Sequence, residues 1–213
     1  MGISDPTEIQ RKAIPRVRAG QDVIGIAQTG TGKTLAFLLP LMSMLSHAQG
    51  KGPRCVVLTP AKELALQIAE VAQRLAAKTD LRIEVIYGGV GHRAQQQRLE
   101  EGCDLVVATP GRFMELYMRH AFETKAIAHL VLDEADRMMD FGFMPQLRKL
   151  LEILPNKRQN LLFSATYPPK TEAMAEEFLL WPTRVEASPQ STPVQPFLSR
   201  DTAQTTLARS SIC

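Results

Sequence analysis

Short apolar runs rich in β-branched residues alternate along this chain with longer stretches whose apolar positions recur every three or four residues. The runs Val23–Ile26, Cys55–Leu58, Arg82–Ile86, Leu105–Ala108, Leu130–Leu132 and Asn160–Phe163 read as strands, with a last one near Arg184–Glu186. Between them, spacings such as Leu64, Ile68, Val71 and Leu75 predict amphipathic helices. Strand–helix alternation of this kind predicts an α/β domain with a mostly parallel central sheet and helices on both faces. In such a sheet the strand-to-helix junctions share one edge, where ligands bind. The most distinctive segments of the chain all fall at those junctions, so the chemistry is expected along that edge.

The alternation lapses near the C terminus. Twelve of the 27 residues from Ala187 onward are Ser, Thr or Pro, and no periodic apolar face survives. Residues 1–186 are therefore expected to fold as one domain and 187–213 to form a linker or tail.

Composition mainly excludes. A chain of 213 residues, 45% hydrophobic and 22% charged, is ordinary for a globular α/β protein. A net charge of +3 is too mild to announce nucleic acid by itself. Three cysteines without a Cys-x-x-Cys pair read as small buried hydrophobes rather than a disulfide or zinc framework. The histidines lack metal-ligand spacing. The longest apolar stretch, Leu35 to Leu45, contains Pro40 and Ser43 and is too short to span a bilayer. With no opening signal segment either, a cytoplasmic (or nuclear) protein is expected.

The chemistry begins at Ala27-Gln28-Thr29-Gly30-Thr31-Gly32-Lys33-Thr34, which follows an apolar run and opens a helical pattern at Lys33. That is the context of a phosphate-binding loop. Its glycines let backbone N–H groups point at a polyphosphate, Lys33 supplies a mobile charge, and the Thr34 hydroxyl can ligate magnesium. Ala27 stands where the usual pattern has Gly. A hundred residues on, Leu130-Val131-Leu132 delivers Asp133 and Glu134 to a strand end. One carboxylate there can hold magnesium while its neighbour orients or deprotonates the attacking water. Thr59-Pro60 and Thr109-Pro110 each read as a Thr N-cap with Pro at the first helical position. Helix N-termini on a ligand edge also present free N–H groups to anions, and Lys62 and Arg112 follow closely.

Together these motifs resemble the amino-terminal RecA-like domain of DEAD-box ATP-dependent RNA helicases. Asp133-Glu134-Ala135-Asp136 spells the family name, and Ser164-Ala165-Thr166 follows as its third motif. Pro6-Thr7-Glu8-Ile9-Gln10, Tyr87-Gly88-Gly89, Gln95 with Leu99, and Thr109-Pro110-Gly111-Arg112 fall in family order. The resemblance implies a three-layer RecA-like P-loop NTPase fold, with ATP and Mg²⁺ as cofactors and RNA as partner. Gln10 would select adenine and residues 27–34 cradle the phosphates. Thr34 and Asp133 would position magnesium, and Glu134 would be the hydrolytic base. Asp136, Ser164 and Thr166 would couple nucleotide state to domain position. Pro60, Ala61, Lys62, Gly89, Thr109, Gly111 and Arg112 would grip the RNA backbone with little sequence preference.

The sequence departs from the family at Ala61 and Lys62, where Thr and Arg are usual. Ala61 loses a hydroxyl, and Lys62 keeps charge without the planar fork. The motifs of a second RecA-like domain, including an arginine that reaches the γ-phosphate, do not follow. The expected product is a monomeric half-enzyme that needs that domain to hydrolyse ATP and separate short RNA duplexes. The competing readings are a DNA-directed P-loop translocase and a truncated, non-catalytic binding module.

Overall fold

A computed structural model describes residues 5–188. Its strands are β1 (Val23–Ile26), β2 (Cys55–Leu58), β3 (Ile83–Ile86), β4 (Leu105–Ala108), β5 (His129–Asp133), β6 (Gln159–Ser164) and β7 (Thr183–Glu186). Its helices are α1 (Glu8–Arg18), α2 (Lys33–Leu45), α3 (Lys62–Ala76), α4 (Arg93–Glu101), α5 (Pro110–Met118), α6 (Ala135–Asp140), α7 (Met144–Ile153) and α8 (Pro169–Phe178). Each predicted strand is present, displaced by at most a residue at either end. The tail predicted from 187 lies outside the described residues beyond 188; Ala187 still extends the ladder by donating its N–H to Ile26 O, 2.9 Å.

The sheet runs β3-β4-β2-β5-β6-β1-β7 and every described pairing is parallel. Side chains alternate across it. Cys55, Val57, Val107, Val131, Leu161 and Phe163 join a core containing Phe37 and Leu41 of α2 and Ile68 of α3. Val56, Leu58, Val106, Leu130, Leu132 and Leu162 join a second core with Phe113 and Leu116 of α5, Met138 of α6 and Leu147 of α7. Burial on both faces explains why the strands read as unbroken apolar runs. The three layers follow directly.

Strand order places the chemistry. β6 lies between β1 and β5, so the phosphate-loop segment after β1, Ser164 at the end of β6 and Asp133 at the end of β5 meet on one edge. Close approach there requires a glycine in β1: a Cβ on Gly25 would stand 2.4 Å from the Phe163 ring. Among the described residues, no helix is long and apolar enough to cross a membrane. Cys55 and Cys103 are free and buried, and burial pushes both thiols up to about 12, which leaves them unreactive.

Candidate functional site

The loop between β1 and α2 uses left-handed backbone at Gly30 (φ 84°) and Gly32 (φ 90°), where a side chain would be strained. Ala27 is a core residue that continues β1 by donating to Ser164 O, 3.0 Å, and its φ is not positive. A glycine is therefore not needed at that position. Gln28, Thr29 and Gly30 are exposed, while Thr31 is tied back through its hydroxyl to Gln28 O, 2.6 Å. Gln10 braces the loop: its amide donates to Gly32 O at 3.1 Å and accepts from Thr7 N–H at 3.0 Å. A Cβ on Gly32 would come within 2.4 Å of the Gln10 amide. In this conformation the glutamine expected to read adenine is committed to the loop itself.

Lys33 opens α2 and is 6% exposed, yet its ammonium has no hydrogen-bond partner. It lies 3.6 Å from Glu134 Oε1. Glu134 adopts a left-handed backbone, φ 56° and ψ 48°, as the chain turns from β5 into α6. That conformation costs a non-glycine residue roughly 1–2 kcal/mol, and strain of this kind concentrates at functional sites. Asp133 is buried and accepts one hydrogen bond, from Glu134 N–H at 3.1 Å. Burial pushes its carboxyl up to about 7; Lys33 draws it down and Glu134 raises it again. These groups line a pocket of about 410 Å³ with Thr29, Gly30, Gly32 and Thr34. Its opposite wall is Leu64, Gln67, Ile68 and Val71 of α3. The periodicity that predicted α3 gives three of those residues as a core stripe, and nothing in it separates a pocket wall from a packed face.

The expected coupling residues are in direct contact. Asp136 Oδ2 accepts from Thr166 N–H at 2.9 Å and from its hydroxyl at 2.7 Å, while Ser164 Oγ accepts from Asp136 N–H at 3.2 Å. Burial raises the Asp136 carboxyl, but the hydroxyls of Thr166 and Ser164 outweigh it and hold it below its usual range. β5 and β6 are thereby locked together beyond their ladder.

A second, open groove of about 460 Å³ is lined by Pro60, Lys62, Gly88, Gly89, Thr109, Gly111, Arg112, Glu115 and Phe143. It gathers every segment expected to meet a sugar–phosphate backbone. Thr109 is the N-cap of α5 with Pro110 next, as the sequence indicates, although its hydroxyl makes no capping bond. The first Thr-Pro behaves differently: α3 starts at Lys62 and its N-cap is Ala61, in extended conformation and with no side chain to cap. Lys62 is exposed and stands 5.2 Å over the Tyr87 ring. Arg112 is turned inward. It is 7% exposed, donates to Val90 O at 2.7 Å and stands 3.0 Å from the Glu115 carboxylate. It fixes the Gly88–Val90 loop rather than offering a free cation to the groove. Gln95, absent from the expected site residues, clamps the same loop from α4 by bonding Tyr87 N–H at 3.1 Å and Tyr87 O at 3.2 Å.

Comparison with known proteins bears on this geometry. The sequence matches the DEAD/DEAH box helicase family over residues 7–174. It is 45% identical to DEAD-box ATP-dependent RNA helicase 52A of Oryza sativa subsp. japonica, across 84% of this chain and 33% of that protein. It is 40% identical to probable ATP-dependent RNA helicase DDX46 of Homo sapiens, across 89% of this chain and 19% of that one. The crystal structure of the yeast DEAD-box splicing factor Prp28 superposes with a TM-score of 0.82 at 34% identity, covering 88% of this chain and 46% of that one. The chain thus spans a third or less of these curated relatives. The loop after β1, the carboxylates after β5 and these matches agree: the chain belongs to the DEAD/DEAH box helicase family and forms one RecA-like domain of that type.

Proposed function

We propose that this chain binds ATP–Mg²⁺ and the RNA backbone, and that, joined to a second RecA-like domain, it hydrolyses ATP to separate short RNA duplexes. The observation that carries the reading is the buried Lys33 ammonium, which makes no hydrogen bond and has only a loose 3.6 Å ion pair with Glu134, beside Asp133. A buried cation with no hydrogen bond, in a pocket of phosphate-loop backbone, is poised for an anion. Thr34 and Asp133 supply hard oxygen donors in the same pocket. Magnesium held there would neutralise charge on the phosphate oxygens.

Lys33 turns to the outer phosphates, and the loop N–H groups hold the rest. Glu134, released from Lys33, accepts a proton from the water that attacks the γ-phosphorus. The bond to the β-phosphate bridging oxygen breaks, giving ADP and inorganic phosphate. The Gln10 amide keeps a second N–H and a second lone pair beyond those given to Gly32 O and Thr7 N–H, so the residue that braces the loop can also read the adenine edge. RNA lies along the Lys62–Gly89–Gly111 groove, with Arg112 and Gln95 holding its walls. The setting is a cytoplasmic monomer, with residues 1–186 as the domain and later residues leading to the second one.

The test compares ATP hydrolysis by the 213-residue chain with that of the chain joined after Val194 to a second RecA-like domain. The expected result is near-background hydrolysis alone and RNA-stimulated hydrolysis when joined, since an arginine supplied from outside the loop contributes roughly 10³–10⁵ in rate. Stimulation by DNA equal to that by RNA favours the translocase reading. No stimulation in the joined protein overturns the proposal. Lys33→Ala should remove calorimetrically measurable ATP binding, and unchanged affinity would sink the phosphate-loop assignment.

A further inference from the structure

Glu134 has a second cationic neighbour that the motifs do not explain. Arg137 Nη1 lies 3.9 Å from Glu134 Oε2, the carboxylate oxygen other than the one that faces Lys33. Glu134 is the left-handed N-cap of α6, and Arg137 lies three residues on, in the first turn. The Arg137 guanidinium rests 5.7 Å over the ring of Phe141, which is 56% exposed. Phe141 packs edge-on against Phe143 at 6.4 Å, and Phe143 lines the open groove. Phe141 is thus an exposed aromatic with work inside the chain: it seats a cation.

Lys33 is the partner Glu134 loses when phosphates arrive. Arg137 is then the cation left beside the carboxylate among the described residues. A general base must meet its proton within hydrogen-bond reach and in the right direction. A carboxylate on a strained left-handed residue, with one partner gone, depends on what holds its other oxygen. We propose that Arg137, seated on Phe141, is a positioning residue that sets the direction of the Glu134 carboxylate during hydrolysis. This rests on the reading of Glu134 as the base.

The test measures steady-state ATP hydrolysis at saturating RNA by the chain joined to a second RecA-like domain. Arg137→Ala should lower kcat about tenfold, less than the roughly 10²-fold that a 1 Å misplacement can cost, with KM for ATP and RNA affinity within about twofold. Arg137→Lys should restore most of the loss, and Phe141→Leu should fall between. Thermal unfolding of each variant as the 213-residue chain should match the unsubstituted protein. A kcat for Arg137→Ala within about twofold of the unsubstituted protein overturns the inference. So does a loss that Lys fails to restore, or one matched by weaker ATP binding. Glu134→Gln, run alongside, separates the two levels. If it is slow while Arg137→Ala is normal, only the positioning role fails; if it is itself normal, Glu134 is not the base and both readings fall.

Discussion

The two edges of the sheet bury the same kinds of polar residue and treat them in opposite ways. At the edge where strands begin, Asp104 accepts from Arg82 N–H and Nε, from Arg54 NH2 and from Gln49 N–H, all at 2.9–3.0 Å. Asp22 takes Asn160 N–H and Leu180 N–H at 2.8 Å, and the Gln159 amide donates to Val17 O and Gln21 O. At the edge where strands end, the Lys33 ammonium, the Thr59 hydroxyl and two Arg112 nitrogens have no hydrogen-bond partner, and Asp133 has a single bond. Burial raises both aspartates, but only Asp104 has donors enough to reverse it. Asp104 is held down at about 2, and Asp133 is pushed up to about 7. Buried polar groups are normally satisfied, because leaving one unpaired costs on the order of 1–3 kcal/mol. The strand-start edge spends nearly all of these bonds on the fold, with Arg54 Nε left over, while the strand-end edge satisfies Asp136 and leaves Lys33 and Asp133 short of partners.

Substitutions should divide along that line. At the ligand edge, Glu134→Gln in the joined protein should lower ATP turnover by roughly 10²–10⁴, the usual contribution of a positioned base. ATP and RNA binding should persist and the melting temperature should barely move. Equal turnover would remove this residue from the chemistry and blur the contrast between the edges.

At the structural edge, Asp104→Asn should cost about 3–5 kcal/mol in urea unfolding, because it strands Arg54 and Arg82 without their counter-charge. Nucleotide affinity, measured on protein that remains folded, should be unchanged. A variant of normal stability and weakened nucleotide binding would break the division.

Acid should act on the same clamp. The folded carboxyl of Asp104 lies at about 2, below its unfolded value of about 3.9. Its contribution, about 2–3 kcal/mol, is therefore complete above about pH 4 and lost as pH falls through about 2. Urea midpoints at falling pH should show this loss in the parent and less of it in Asp104→Asn. Equal acid sensitivity in both would place the clamp elsewhere.

The smallest effect belongs to the groove. Ala61→Thr restores an oxygen at the N-cap of α3 and should stabilise the chain by about 1 kcal/mol. It should also compete for the N–H groups of the first turn, and RNA binding by the joined protein reports whether they are needed free. A gain in stability with unchanged RNA affinity would assign this position to folding.

What the sequence determined on its own is local. Gly30 and Gly32 are fixed by backbone geometry within one loop, and Asp133 with Glu134 by the end of one apolar strand. Strand identities are carried by consecutive apolar residues that must be buried on both faces. Such features depend on neighbours a few residues away, so their pattern survives in the linear order. Other features were decided only by tertiary structure. The inward turn of Arg112 depends on Val90 O, 22 residues distant, and the clamp on Asp104 on Arg54, 50 residues away. The commitment of Gln10 to Gly32 depends on how α1 packs beside α2. The helix start expected at Thr59-Pro60 has this character too, since Thr59 extends the β2–β4 ladder by donating its N–H to Ala108 O, 3.0 Å, and α3 begins only after Ala61. A polar residue's sequence shows what bonds it can make; whether those bonds are spent inside the fold or kept for a ligand depends on what the fold brings beside it.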